Sequence, residues 1–194
     1  GAMNAYGYGL KDVAHLNDVF FTSTLIGKQT IDELGQSMGM VVGIAANFGV
    51  SFEQLSAAIS TLTAKGMETS EAMTAVKGVI TSIASPSKEA SDAAKALGLD
   101  FSVAALKADG LEGMLKKVMV ATGGDADKTK ELFGEVRALN GVMQLTGDGM
   151  TFFNDALQKI NTSTGSAEAA YKKMSATFDA QSQMLINSAK VLMV

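Results

Sequence analysis

Enzyme chemistry needs nucleophiles, acids, bases or metal ligands, and this sequence offers few in useful combinations. It contains one histidine, His15, and no cysteine. His15 lies in a helical pattern, and no nucleophile-elbow sequence elsewhere completes a serine triad. Thiolate metal sites and disulfides are excluded, and the scattered acidic residues form no paired-carboxylate motif. We therefore predict an ordinary surface or boundary histidine, no catalytic residue, no cofactor and no metal ligand, so the sequence does not predict an enzyme.

A polar loop at residues 123–129 superficially resembles two kinds of ligand-binding loop. No glycine immediately precedes Lys128, which argues against a phosphate loop. A calcium loop beginning at Asp125 would have Lys130 in place of the required glycine and Val136 in place of a bidentate glutamate. We therefore predict that Asp125 caps the N-terminus of a helix.

Composition favours a folded helical protein that does not bind nucleic acid. Of 194 residues, 47% are hydrophobic and 19% charged, which is ordinary for a globular domain. The net charge is −4, and no basic patch is present that would neutralise a run of phosphates. One proline against 20 glycines suits helices, because interior proline costs about 3 kcal/mol. The glycines must then be helix stops or close-packing positions.

Capping residues and glycines predict an all-α bundle of about eight helices. Thr30 and Ser51 begin two of them, and Glu33 and Gln54 are expected to complete capping boxes. The predicted helices cover residues 10–25, 30–49, 51–66, 69–85, 87–97, 111–121, 127–145 with a break near Gly134, 150–160, and a long C-terminal stretch from Ser166. Residues 99–103 are the only short stretch with extended character.

The turns also predict a domain organisation. Residues 1–3 resemble the scar left by tag cleavage, residues 4–98 form an N-terminal helical core, and residues 99–165 form a second helical part packed on it. Residues 166–194 form a long C-terminal helix that is truncated, since the sequence stays apolar to its last residue. The best boundary lies near residues 98–109. We expect the chain to be cut from a longer protein at both ends.

Gly35, Gly39 and Gly43 recur every fourth residue and predict a helix-packing face. Three interior glycines cost roughly 2–3 kcal/mol of helix propensity relative to alanine, so close approach of another helix must offset them. The same spacing drives helix association in membranes. However, the apolar stretch at residues 38–50 is too short to span a bilayer. We favour packing in water over membrane insertion.

The last helix places Tyr171, Met174, Phe178, Leu185 and Leu192 on one side at nearly heptad spacing, interrupted by Gln181. Two interpretations remain open. The helix packs back on the bundle, or it begins an extended coiled segment that continues past residue 194.

From Thr30 onward the sequence resembles the core region of phage tail tape measure proteins. The resemblance rests on an ordered series of parts and spans about residues 10–192. One departure is Met73, where the family often has glycine. The parts are a glycine turn, capped helix and second glycine (residues 48–66), a helix with a serine–proline break and a short alanine-rich helix (residues 70–90), the ending Leu97-Gly98-Leu99, and the phenylalanine–glycine helix around Leu132-Phe133-Gly134.

The resemblance implies a structural function. Tape measure proteins occupy the lumen of the tail tube, set tail length during assembly, and leave the tube when DNA is delivered. The implied partners are tail tube, baseplate or tail-assembly proteins and further copies of the protein, with no nucleic acid bound by this segment. The implied location is the virion tail, and the host cytoplasm during assembly. The alternative function is a membrane-active helical module at the host envelope, with membrane contact made by the full-length protein.

Overall fold

The computed structural model describes the backbone of residues 1–192, and the side chains of these residues except 179, 180, 183 and 185–192. It is all-helical, with 79% of residues in helices and no strand in the described part. The predicted fold class is therefore confirmed. Residues 99–103 form no strand, and Val103 already begins a helix.

The described residues form twelve α-helices and two short 3-10 helices rather than about eight helices. The 3-10 helices are Leu10–Asp12 and Met38–Met40. The α-helices are α1 (Ala2–Tyr6), α2 (Val13–Ile26), α3 (Ile31–Ser37), α4 (Val42–Asn47), α5 (Phe52–Ala64), α6 (Thr69–Ala84), α7 (Lys88–Ala96), α8 (Val103–Thr122), α9 (Ala126–Leu132), α10 (Val136–Leu145), α11 (Asp148–Asn161) and α12 (Ser166–Leu192).

The single helix predicted for residues 30–49 is wrong, because the chain forms α3, a 3-10 turn and α4 there. Val41, between the turn and α4, leaves the helical region with φ −124°. Gly35, Gly39 and Gly43 lower helix propensity on both sides of this break, and no packed neighbour offsets the loss. The capping box predicted at the start of α3 is confirmed. Thr30 Oγ1 accepts the N–H of Glu33 at 3.2 Å, and Glu33 Oε2 accepts the N–H of Thr30 at 2.7 Å.

Gln54 does not complete the capping box predicted at Ser51. Ser51 Oγ accepts the N–H of Gln54, but the Gln54 side chain accepts the N–H of Leu111 at 2.9 Å. Gly110, with φ +67° and ψ 175°, interrupts α8 and frees that N–H. A Cβ at Gly110 would lie 2.5 Å from Gln54 Nε2, so this junction requires glycine.

Helix α5 lies at the centre of the core and is buried nearly all round. The predicted stripe Phe52, Leu55, Ile59 and Leu62 is fully buried, and so are serine, threonine and alanine residues on the other faces. Its neighbours include α2, α4, α6, α8, α10 and α11. One continuous hydrophobic cluster runs from Leu16 to Ile160, so residues on both sides of the predicted boundary near 98–109 share a core.

A close helix crossing joins α6 to α10 through two glycines, Gly78 and Gly141, that the glycine spacing in the sequence did not indicate. A Cβ at Gly78 would lie 3.1 Å from Ala138 Cβ, and a Cβ at Gly141 would lie 3.2 Å from Ala75 Cβ. Each helix thus contributes an alanine and a glycine three residues apart. Small residues at both positions let the two backbones approach closely.

We expect Gly141→Ala to lower the free energy of unfolding by up to about 2 kcal/mol, because overpacking of the α6–α10 crossing, at about 1–3 kcal/mol, exceeds the helix-propensity gain of about 1 kcal/mol. The matched control is Gly35→Ala in α3, where nothing lies within 4 Å of the new methyl. That change should be neutral or stabilising by up to about 1 kcal/mol. Thermal and urea unfolding of both variants measures the two effects, and equal destabilisation would contradict the assigned packing.

Candidate interaction surface

His15 makes a structural contact and lies near no assembled catalytic group. Its Nε2 lies 2.6 Å from Glu53 Oε1, which ties α2 to α5, and its ring lies edge-on to Tyr8. Burial acts to raise the pKa of Glu53, but hydrogen bonds from His15, the backbone and Ser51 outweigh it and hold that pKa below its ordinary value. The histidine is partly exposed, at the boundary where the sequence placed it.

The loop at residues 123–129 acts as a helix cap. Asp125 Oδ1 accepts the N–H of Lys128 at 2.9 Å, and α9 begins at Ala126, so the predicted cap is confirmed. In the part of the chain that the structure describes, no three His, Asp or Glu side chains converge as a metal site would require.

Gly35, Gly39 and Gly43 lie exposed on the surface. No atom lies within 4 Å of a Cβ added at any of them, so no described helix of this chain covers them. Their role as a helix-packing face stays a prediction. Within the chain, Gly78 and Gly141 serve that purpose. The signal for them in the sequence is the pair of small residues three apart on each helix.

Asp18 on α2 anchors the start of α12. Its side chain, 5% exposed, accepts the N–H of Gly165 at 2.8 Å and the N–H of Ala167 at 2.9 Å. Thr22 adds a hydroxyl contact to Ser166 at 3.2 Å. A carboxylate at a helix N-terminus satisfies free N–H groups and complements the helix dipole. The cap of α12 thus comes from a residue nearly 150 positions earlier, which no local pattern reveals.

Beyond this anchor, α12 presents an apolar stripe that the rest of the described chain leaves uncovered. Tyr171, Met174 and Phe178 are 67%, 68% and 69% exposed. The stripe supports the extended interpretation of the last helix over packing on the bundle. The other two predicted members, Leu185 and Leu192, lie outside the described side chains. We call Tyr171, Met174 and Phe178 the α12 stripe.

An apolar groove of about 460 Å³ lies at the root of α12. Phe20 and Phe21 of α2, Ile31 and Gly35 of α3, and Ala167 of α12 line it. The groove therefore lies between Gly35 of α3 and Ala167 in the first turn of α12. Large exposed apolar surface of this kind marks protein–protein contact more often than catalysis.

Comparison with known proteins identifies the family of this chain. The sequence model of the family described as phage-related minor tail protein matches residues 1–134, which include α1 to α9. This chain belongs to that family. It is also similar to a protein named tape measure protein from Pneumococcus phage Dp-1, with 24% identity over 181 residues. The resemblance to the tape measure family seen in the sequence is thus confirmed.

The match to the Pneumococcus phage protein covers 91% of this chain but only 15% of that relative. No solved structure gives a significant match. In the described residues, no helix combines the length and the apolar character needed to cross a membrane. The family places the protein in the phage tail.

We expect Glu53→Gln to reduce the loss of unfolding free energy that occurs as the pH falls. Because the folded-state pKa of Glu53 is depressed, its contribution is present above its unfolded pKa of about 4.3 and is lost as pH falls through the folded value. The unvaried chain should therefore lose more stability than Glu53→Gln between about pH 5 and pH 3. Urea unfolding across this range measures it, and parallel profiles would show that the His15–Glu53 contact contributes no net stability.

Replacing Asp18 by alanine should detach the start of α12 from α2. Two partly exposed N–H groups at the start of α12 lose their acceptor, at a cost of about 0.5–2 kcal/mol for loss of a helix cap. Limited proteolysis should then cut faster within residues 162–167. Asp155→Ala, which removes an exposed carboxylate from α11, is the matched control. Equal cleavage rates in the two variants would argue against the anchor.

Proposed function

We propose that this segment is a folded module of a tape measure protein that lies in the lumen of the tail tube and helps to set tail length. The observation that carries the proposal is the family match over residues 1–134, joined to the similarity with a tape measure protein over 91% of the chain. A family of structural tail proteins also favours a non-enzymatic role.

A compact bundle is a poor ruler, because its helices fold back on each other. An α-helix advances about 1.5 Å per residue, so chain length becomes tube length only when helices run end to end. We propose that the bundle is one state of the segment, and that in the tube its helices are extended. The α12 stripe supports this proposal, because α12 leaves its α2 anchor with an apolar side that the described bundle does not cover.

We propose the tail tube, baseplate or tail-assembly proteins and further copies of the chain as partners. The α12 stripe and the apolar groove between α2, α3 and the start of α12 are the surfaces that we propose for these contacts. We propose that the three predicted parts, residues 4–98, 99–165 and 166–194, leave the bundle at different stages when the segment extends. The α12 segment is held mainly through α2, whereas the first two parts share one hydrophobic core.

Helical inserts placed between Gly123 and Gly124 test the ruler. Both residues are exposed, with open space around them. An insert of 35 residues in the full-length protein should lengthen tails by about 50 Å, and 70 residues by about 100 Å, at 1.5 Å per residue. Electron microscopy of assembled tails measures how tail length increases with insert length.

The control is a glycine–serine insert of the same length, because a flexible chain has no fixed rise per residue. Tail length that stays constant across the helical series would refute the ruler for this segment. So would a tail reconstruction that shows residues 4–165 as a compact bundle.

A further inference from the structure

A single residue interrupts helix α8. Gly110 has φ +67° and ψ 175°, and residues 103–109 and 111–122 on its two sides are helical. This backbone conformation is essentially restricted to glycine, and glycine is also tolerated inside a helix. Rotation about the backbone of this one residue would therefore join the two halves of α8 into one continuous helix.

The interruption allows both halves of α8 to face the same core. Leu106 in the first half and Val118 in the second are buried in one hydrophobic cluster, whereas Lys107 and Lys117 are exposed. Residues eleven apart are separated by about three full turns of a continuous helix. In a straight α8, buried Leu106 would therefore share a side with exposed Lys117, and exposed Lys107 would share a side with buried Val118. Straightening must withdraw one half of α8 from the core.

Contacts across the break stabilise the bent form. Leu111 begins the second half, and Gln54 of α5 accepts its N–H at 2.9 Å. Lys117 Nζ donates to Asp109 Oδ2 at 2.6 Å. Along a straight helix eight residues rise about 12 Å, and both side chains lean toward the N-terminus. The ion pair between residues eight apart therefore indicates that the two halves bend toward each other.

Gly113 lies unusually close to Asp109. A Cβ at Gly113 would lie 3.2 Å from Asp109 Cβ. In an unbroken helix, Cβ atoms four positions apart are about 5–6 Å from each other. The break therefore closes this side of α8, in agreement with the ion pair.

We propose that Gly110 is a hinge: α8 is bent in the compact bundle and becomes one straight helix of 20 residues when the segment extends. The proposal rests on the proposed function and identifies a joint that couples extension to opening of the core. At 1.5 Å per residue, the straight helix spans about 30 Å. Because one half of α8 must then leave the core, the hinge and the bundle open together.

A disulfide between positions 109 and 113 tests the bent form in the isolated chain, which has no cysteine of its own. Asp109→Cys with Gly113→Cys places the two Cβ atoms close to the spacing of about 3.5–4.5 Å that a disulfide needs, whereas a straight helix holds them too far apart. The matched control is Asp155→Cys with Lys159→Cys, which has the same sequence spacing at exposed positions of unbroken α11.

After treatment with oxidised glutathione, mass spectrometry should find the intramolecular bridge in at least about tenfold more chains of the hinge pair than of the control pair. Equal bridging, or no bridge in the hinge pair, would overturn the bent contact. Because the bridge reproduces the geometry of the bundle, the bridged chain should unfold at the same temperature as the reduced chain or higher. A lower unfolding temperature would also contradict the contact.

Opening of the hinge is tested in the full-length protein, with any cysteine elsewhere replaced by serine. Protein that carries either pair is produced in cells with an oxidising cytoplasm and, separately, under reducing conditions. The bridged hinge pair should lower the yield of full-length tails at least about tenfold, with recovery under reducing conditions, because a bridged α8 cannot straighten. The control pair should give the same yield in both. Normal tails that contain the bridged hinge pair would refute the hinge.

The insert series separates this result from failure of the proposed function. If tail length follows insert length while the bridged protein still builds normal tails, the ruler stands and the hinge does not. If tail length ignores the inserts, the ruler fails, and bridging in the isolated chain still reports whether α8 is bent.

Discussion

The structure depends on the burial of α5 on nearly all of its sides. A helix in water normally keeps a polar face, but α5 is surrounded by helices from both ends of the sequence. Its aliphatic and aromatic stripe fills the core, and serine, threonine and alanine residues occupy the other sides, where neighbouring helices approach closely. The hydroxyls of Ser60, Thr61 and Thr63 are compatible with burial because each donates to a backbone carbonyl; Thr61 Oγ1, for example, donates to Ala57 O at 2.7 Å. Since α2 and α11 both pack against α5, the segment forms only when distant parts of the chain meet.

Local capping could be predicted from the sequence because a cap joins residues three positions apart. Thr30 with Glu33, and Asp125 with Lys128, are pairs of this kind. The contacts that escaped prediction are long-range. Gln54 reaches Leu111, and Asp18 reaches the start of α12. Their partners are backbone N–H groups left free at helix breaks elsewhere in the chain. From the local sequence alone, Gln54 is interpreted as a capping-box residue and Asp18 as a surface aspartate.

For the glycines, spacing in the sequence did not indicate which positions pack closely within the bundle. The regular set in α3 to α4 is the more conspicuous pattern, yet those glycines face open space, whereas Gly78 and Gly141 mediate the α6–α10 crossing. A spacing shows which residues share a helix face, but it does not show whether that face points to the core. The fold class followed from composition, caps and stops. The helix count did not, because the short turns between helices depend on tertiary contacts that offset the cost of interrupting a helix.

Helix α10 relates the compact fold to the proposed extended state. One of its faces packs so closely in the bundle that a methyl added at Gly141 would lie 3.2 Å from Ala75 Cβ and force its neighbours to shift. Another carries Val136 and Met143 to the surface, where exposure of apolar side chains is unfavourable and gives the bundle no stability. A helix that needed only to fold once would gain solubility from polar residues there. Two apolar faces are expected when one helix must be covered by different partners at different times, first by its own chain and then by another. The glycine turns between helices suit such a protein, because glycine accepts the left-handed backbone of a turn and costs only about 1 kcal/mol within a helix.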